Sequence, residues 1–293
     1  MIILESFKMK KYIKILTITF GCLFFSCEDE VPIIGPVPDS FTKKVLIEEF
    51  TGAWCGYCPD GAHRLENTIN ANNGNVIGVS LHNGDQMSVE HTDYLGSVYQ
   101  NTGFPSGMVD RIAVSDFYGN LMVSMNRVSW DYFALDQLGK VANCGLAIKS
   151  EVSGSKANVE VRVGFNASLI GSHKLSVYLI EDKVSGEGYG YDQSNYYDTD
   201  SNSPFYQLGN PIVGYEHNHT LRAILSEQSG DTIDPSYLIS GGEFTNTYTT
   251  DISSYIEKNL SVVAFVTHIG SSFTDHEVMN VQSCDINSLH DWD

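Results

Sequence analysis

Residues 45–50, Val-Leu-Ile-Glu-Glu-Phe, form a short β-favouring run that ends at Thr51-Gly52-Ala53, the pattern of a buried strand leaving a sheet. Between residues 60 and 71 the apolar positions Ala62, Leu65 and Ile69 recur at three- and four-residue spacing, which predicts a helix with Pro59 tolerated near its first turn. Residues 75–82, with Val76, Ile77, Val79 and Leu81, read as a second strand, 89–102 as a short helix and 108–112 as a third strand. From 116 to about 141, Leu121, Met122, Met125, Val128, Phe133, Leu135 and Leu138 recur at helical intervals and predict a closing helical stretch. Beyond Asn143 the period changes to two: Val159, Val161, Val163 and Phe165 alternate with Glu160, Arg162 and Gly164, as in a half-buried strand. Similar runs at 146–152, 174–180, 220–225, 244–250, 260–268 and 277–286 bring the short strands to seven. The pattern therefore predicts an α/β domain over 41–141 and an all-β, immunoglobulin-like sandwich over 142–293.

Ahead of these elements, Lys8, Lys10, Lys11 and Lys14 precede an apolar run from Ile15 to Phe25 that is short for a bilayer span. Residues 1–27 read as a secretory leader, with Met9 as an alternative start to Met1. The run ends at Leu23-Phe24-Phe25-Ser26-Cys27, which resembles the loose lipobox of Bacteroidota lipoproteins. Cys27 is the expected lipid acceptor and Cys22, inside the apolar run, the competing one. Residues 28–40 contain Pro32, Gly35, Pro36 and Pro38 and read as an extended tether.

Composition narrows the partners. With 42% hydrophobic and 18% charged residues the chain can build packed cores. Its net charge of −19, falling to −22 if four lysines and one glutamate leave with the leader, repels phosphate backbones and anionic lipid. Nucleic acid is not an expected partner, and any membrane attachment is expected to rest on acyl chains.

The candidate chemistry lies between the first strand and the first helix, at Trp54-Cys55-Gly56-Tyr57-Cys58. Two cysteines three residues apart at a helix N-terminus can close a disulfide, and the unpaired N–H groups there favour a thiolate. Cys55 is the expected nucleophile and Cys58 the resolving residue, with a static disulfide or two inert thiols as the plain alternative. Zinc is not expected, because four ligands are needed and no second cysteine pair exists.

Fifty residues beyond Cys55 comes Gly103-Phe104-Pro105-Ser106-Gly107. With the strand, the cysteine pair and the helix, this segment resembles the thioredoxin superfamily. The resemblance implies that Pro105 is cis and lies against the cysteines, with Trp54, Gly56, Tyr57 and Phe104 lining a groove for an extended substrate. It also implies a buried acid that moves the proton of the resolving thiol, at Glu49 or, on the opposite strand face, at Glu48. His63, His82 and His91 read as surface or satisfied polar residues.

In the second half, Cys144 and Cys284 fall at opposite ends of seven alternating strands, which argues against a bond between them. The connection from 183 to 211 is rich in tyrosine (Tyr189, Tyr191, Tyr196, Tyr197, Tyr206) and suits either a solvated loop or a glycan- or protein-binding surface. Asp198, Asp200 and Asn202 alternate like calcium ligands but lack the glycine and closing acid of an EF-hand. His217 and His219 share a strand face, with no third metal ligand evident.

Taken together with Tyr215-Glu216-His217-Asn218-His219, Leu221-Arg222-Ala223 and Val262-Val263-Ala264-Phe265-Val266, these features resemble the family related to the 28-kilodalton outer-membrane protein of Bacteroidota. The resemblance implies an outer-membrane lipoprotein with a thioredoxin-like part before a β-rich part. The expected activity is thiol-disulfide exchange on envelope proteins or with a redox partner, without metal or organic cofactor. The rival reading is a surface lipoprotein that binds a protein or glycan and uses the thioredoxin-like part as scaffold.

Overall fold

Alternation along the first strand decides which side of the molecule each residue serves. In the computed structural model, which describes residues 34–293, strand β1 (Val45–Thr51) is buried along its whole length. Val45 and Ile47 pack with Leu65, Val109 and Trp130 on one face, while Leu46 and Phe50 pack with Leu81, Leu95 and Phe265 on the other. Helix α1 (Cys58–Ala71) and strand β2 (Val76–His82) follow, and β2 runs parallel to β1 with Val45 opposite Val76 and Thr51 opposite His82. Helix α2 (Glu90–Val98) leads to β3 (Ser106–Val109), which returns antiparallel to β1.

The helical stretch expected over 116–141 is mostly not helical. Strands β4 (Val114–Ser115) and β5 (Leu121–Met122) form a hairpin, β6 (Met125–Asn126) pairs with β3, and only α3 (Trp130–Leu138) is helix. The reason lies in the turn. Asp116 accepts the N–H groups of Tyr118 and Asn120 at 2.8 Å each, and Gly119 takes a φ of 85° that a helix does not use. Trp130 then covers Gly107 on β3, where a Cβ would stand 2.7 Å from the indole.

The remaining strands are β7 (Cys144–Ser153), β8 (Lys156–Phe165), β9 (Ser172–Glu181), β10 (Thr220–Ile224), β11 (Asp231–Thr232), β12 (Glu243–Asp251), β13 (Leu260–Ile269), β14 (Val278–Asp285) and β15 (Leu289–His290). All seven strands expected from the two-residue period are among them. Their arrangement differs from a separate sandwich. One sheet runs β14-β13-β9-β10-β2-β1-β3-β6, with β11 beside β9, and so passes through the boundary expected at 141/142. A second sheet, β12-β8-β7-β15, covers its β9-β13-β14 side through Val159, Val161, Val163, Leu175, Val177, Val262 and Ala264.

Residues 33–293 cluster as one compact unit, and the physical cause is a continuous core. Tyr178, Ile180, Leu221, Val263 and Phe265 from the second half bury against Leu46, Phe50, Leu81 and Met108 from the first. Glu48, on the face opposite Glu49, forms a paired bond with Arg111 at 2.7 Å for each oxygen, and Arg111 reaches the Tyr178 hydroxyl at 3.1 Å. Lys43 meets Asp110 at 2.6 Å in a second buried pair. Breaking a buried pair by removing one partner costs roughly 3–5 kcal/mol. Both ion pairs lie within the first half, and Arg111 to the Tyr178 hydroxyl and Lys43 to the Val278 carbonyl at 3.5 Å extend them to the second.

Residues 34–40, expected to be tether, lie on this body. Ile34 is buried, Gly35 N–H donates to Asp291 at 3.0 Å, and the Trp292 indole donates to the Gly35 carbonyl at 2.9 Å. The leader, Met9, Cys22, Cys27 and residues 28–33 lie outside the described residues. Cys144 and Cys284 are buried free thiols.

Because the sheet crosses residue 141, a fragment ending there would expose the β2 edge and half of a core. A chain of residues 34–141 alone is expected to give no cooperative thermal transition by circular dichroism, while residues 34–293 give one. A sharp transition in the short fragment would show two independent folding units.

Candidate active site

Cys55 and Cys58 sit where β1 gives way to α1, and they are joined by a disulfide with Cα atoms 5.3 Å apart. Cys55 N–H donates to Gly52 O at 3.0 Å and Cys58 N–H to Cys55 O at 3.1 Å, which turns the loop tightly into the helix. Cys58 is the first helical residue, followed by Pro59. Both cysteines are buried, Cys55 at 4% exposed and Cys58 at 1%. The Phe104–Pro105 peptide is cis, and Pro105 packs on Gly61, where a Cβ would lie 2.8 Å from the proline ring.

Strand alternation sends Glu49, not Glu48, to this side. Glu49 lies against Gly61, and a side chain there would run into its carboxyl. It is fully buried and neither carboxyl oxygen has a hydrogen-bond partner in the protein. Burial pushes its pKa from 4.5 up to about 8, with the Arg127 charge pulling the other way and that of Asp60 adding to the rise. Arg127 is tied to Asp60 at 2.5 Å, and Asp60 is also bonded to Arg64 at 3.0 Å. Burial opposes ionisation of Asp60, but the two guanidinium groups hold its carboxyl below the usual range.

The open side of the disulfide is aromatic. Trp54 is 39% exposed and Tyr57 51%. The Trp54 ring lies 5.3 Å from that of Phe104, edge to face, and its indole N–H donates to Asn83 O at 2.6 Å. Gly56 is required by a neighbour the sequence does not announce: any side chain there would strike the ring of Tyr196.

That neighbour belongs to a strap, residues 182–219, which joins β9 to β10 and crosses the cysteine loop. Ser194 N–H donates to Ala53 O at 2.7 Å and Tyr196 N–H to Gly56 O at 2.9 Å. The buried Gln193 amide donates to Cys55 O at 2.9 Å and to Ala53 O at 3.2 Å. Tyr57 meets the rings of Tyr196 and Tyr197 at 5.1 and 5.9 Å, and the Tyr197 hydroxyl takes a bond from Arg127 at 3.0 Å. The tyrosine-rich connection is thus part of the site's wall.

Behind the disulfide lies a cavity of about 200 Å³ bordered by Cys58, Glu49, His82, Tyr215, His217 and His219 among others. His82 donates to Asp85 at 2.7 Å, and Asp85 also accepts Ala53 N–H at 2.8 Å, fixing the loop from below. His217 bonds the Tyr191 carbonyl at 2.8 Å, and burial, with His82 beside it, pushes its pKa down to about 4. His63 is exposed against Asn67, and His91 is buried against the Tyr178 hydroxyl at 2.8 Å. His217 and His219 do not converge on a metal: no cluster of three ligands occurs among the described residues. Gln193 and Asp85 carry no local motif, and the segment that opens at Tyr215 gives no sign in the sequence of lying at the cysteines. They lie up to 160 residues from the cysteines, and only the pairing of β10 with β2 brings the later ones in.

A family model described as outer membrane protein Omp28 matches residues 92–289. The chain belongs to the Omp28 family. Membership places it in the cell envelope, at the outer membrane. The matched span begins within α2, so it excludes the cysteine pair and includes the strap. Among solved structures, HBP35 of Porphyromonas gingivalis is similar at 22% identity with a TM-score of 0.66, over 84% of this chain and 76% of that one. A protein of Agrobacterium tumefaciens is similar at 14% identity with a TM-score of 0.47, over 83% and 94%. No curated protein sequence matches. The likeness to HBP35 supports a mixed α/β fold with extensive sheet.

The Glu49 shift sets a pH dependence. The unfolded chain releases this proton near pH 4.5 and the folded chain keeps it to about 8, so stability associated with the group is complete below 4.5 and is lost as pH rises through 8. At about 1.4 kcal/mol per pK unit the loss is on the order of 5 kcal/mol. Glu49→Gln is expected to melt near the wild-type temperature at pH 4.5 and clearly above it at pH 8; equal midpoints at both pH values would contradict a neutral buried carboxyl.

Proposed function

We propose that this Omp28-family chain is an envelope thiol-disulfide oxidoreductase, anchored through a lipid on Cys27 and acting on protein thiols or disulfides. The observation that carries the reading is the Cys55–Cys58 pair at the start of α1, with an unpartnered, buried carboxyl at Glu49 and the Pro105 ring on the same helical turn. A thioredoxin-like first part, β1 to α3, fits this role, with the sandwich-like layer of β7, β8 and β12 as its support.

A dithiol substrate approaches past Trp54, Tyr57 and Phe104, and its thiolate attacks the Cys55 sulfur. The Cys55–Cys58 bond breaks and Cys58 leaves as a thiolate that takes the Glu49 proton. A mixed disulfide joins Cys55 to the substrate. The second substrate thiolate then attacks the substrate sulfur, releasing Cys55, so that the substrate is oxidised by two electrons and the pair reduced by two. In the reverse direction the Cys55 thiolate attacks a substrate disulfide, and Glu49 accepts the proton as Cys58 resolves. The helix N-terminus favours the charged Cys55 in both directions.

The second reading, binding of a protein or glycan, is favoured by the exposed rings of Tyr189, Tyr196 and Tyr206 on the strap. Their place beside the cysteine loop makes the same rings suitable substrate contacts.

The test uses the full chain. One dithiol per molecule is expected to titrate against a glutathione series, and a protein disulfide substrate is expected to turn over. Cys55→Ser should lower turnover by roughly a hundredfold or more, whereas Cys58→Ser should accumulate mixed disulfides on Cys55. Absence of both titration and turnover, with Cys55→Ser unchanged, would leave only the binding reading.

A further inference from the structure

Reduction of the pair requires a proton at Cys58, and neither Cys58 nor Glu49 meets bulk solvent: they are 1% and 0% exposed. After Glu49 has given its proton away it must be recharged from somewhere. The cavity behind the disulfide grades from buried groups, Glu49, Cys58 and His82, to the partly exposed Tyr215, Glu66 and His219. Its volume of about 200 Å³ and polar border suit several waters.

We propose that this cavity is a proton conduit in which Tyr215 and His219, both on the segment that enters β10, connect the Glu49 carboxyl with solvent at Glu66. The inference rests on the oxidoreductase reading above and names the residues that would serve it. Four observations converge on it.

First, both Glu49 oxygens lack a protein partner although the group is fully buried, so water in the cavity is the available partner. Second, the two deeper imidazoles are tied off: His82 donates to Asp85, and His217 donates its Nε2 proton to the Tyr191 carbonyl and stays neutral, its pKa held at about 4. Third, Tyr215 borders the cavity, and burial followed by the Glu49 charge raises its pKa to about 12. It therefore keeps its proton and passes charge by accepting on oxygen while donating its own hydrogen. Fourth, His219 stands between Glu66 at 3.1 Å and Asp182 at 3.5 Å, in a backbone with φ 56°. That conformation is held because its carbonyl accepts Ser80 N–H at 2.7 Å, and the next residue, Thr220, pairs with Ser80.

The charged and titratable groups facing Glu49 are Asp60 and Cys58 from α1, Arg127 from the segment before α3, and Tyr215. His82 from β2 and His217 share the cavity. Asp60 and Arg127 form an ion pair with each other and do not line the cavity.

The experiment follows reduction of the full oxidised chain by excess dithiothreitol in rapid mixing, read by intrinsic tryptophan fluorescence, to which Trp54 beside the disulfide contributes, and normalised to reductant thiolate, in water and in deuterium oxide. In the wild type the rate is expected to fall above about pH 8 as Glu49 loses its proton. Tyr215→Phe keeps the ring and His219→Gln keeps a polar side chain. Each is expected to slow reduction about tenfold or more, with an enlarged solvent isotope effect, an unchanged reduction potential at fixed pH, and recovery of His219→Gln in imidazole buffer. Wild-type rates in both variants would overturn the conduit, as would slowing with no isotope effect and no imidazole recovery, which marks a packing defect. Exchange of the wild type with a protein disulfide is the control. Its absence removes the oxidoreductase reading and the conduit together, whereas its presence with unaltered variants removes the conduit alone.

Discussion

The start of β10 lies against the end of β2, with Thr220 opposite Ser80, and this short parallel contact governs the rest of the site. Strand β10 is also antiparallel to β9, with Thr220 opposite Glu181. The connection between them must therefore leave and re-enter the sheet at the end where β1 and β2 terminate. That is the end that carries Cys55 and Cys58. Residues 182–219 start and finish near that end and cross the cysteine loop, where the Ser194, Tyr196 and Gln193 amides hold them.

Electrostatic economy separates the structural acids from the candidate functional one. Glu48 and Asp110 are as buried as Glu49, yet each is paired with a cation at hydrogen-bond distance. Glu49 has no such partner, and burial is the dominant influence on its proton. A lone carboxyl in a core destabilises the fold above its usual pKa, and proteins keep such groups where the proton is useful. The neighbouring ion pair of Asp60 and Arg127 moderates the cost without removing it, because its two charges act on Glu49 in opposite senses.

The same geometry limits what reaches the sulfurs. The strap closes one side of the Cys55-Gly56-Tyr57 loop, and Trp54 and Phe104 stand edge to face beside it. Competing thiol chemistry is suppressed: Cys144 is buried in the second core, where burial raises its pKa to about 12, and Cys284 is shifted upward for the same reason.

Much was legible from local pattern. The strand and helix around Cys55 and Cys58, the seven later strands and the family resemblance all follow from short-range periodicity and short motifs, because hydrogen-bonded elements impose periods of 2 and 3.6 on the residues they bury. The thioredoxin resemblance implied a buried acid at Glu49, with Glu48 on the opposite strand face as the alternative. The choice between them depended on which face α1 and Arg111 occupied, and that is tertiary. So were the helix that became the β4–β5 hairpin, the two expected domains that share one sheet, and the tether residues pinned by Asp291 and Trp292. From sequence, His219 reads only as a candidate metal ligand and Tyr215 only as part of a family motif, and neither they nor Gln193 can be placed beside the cysteines. Their proximity to Cys58 comes from the pairing of β10 with β2 and from strap contacts with the cysteine loop, and sequence spacing carries no record of which strand edge a later segment will join.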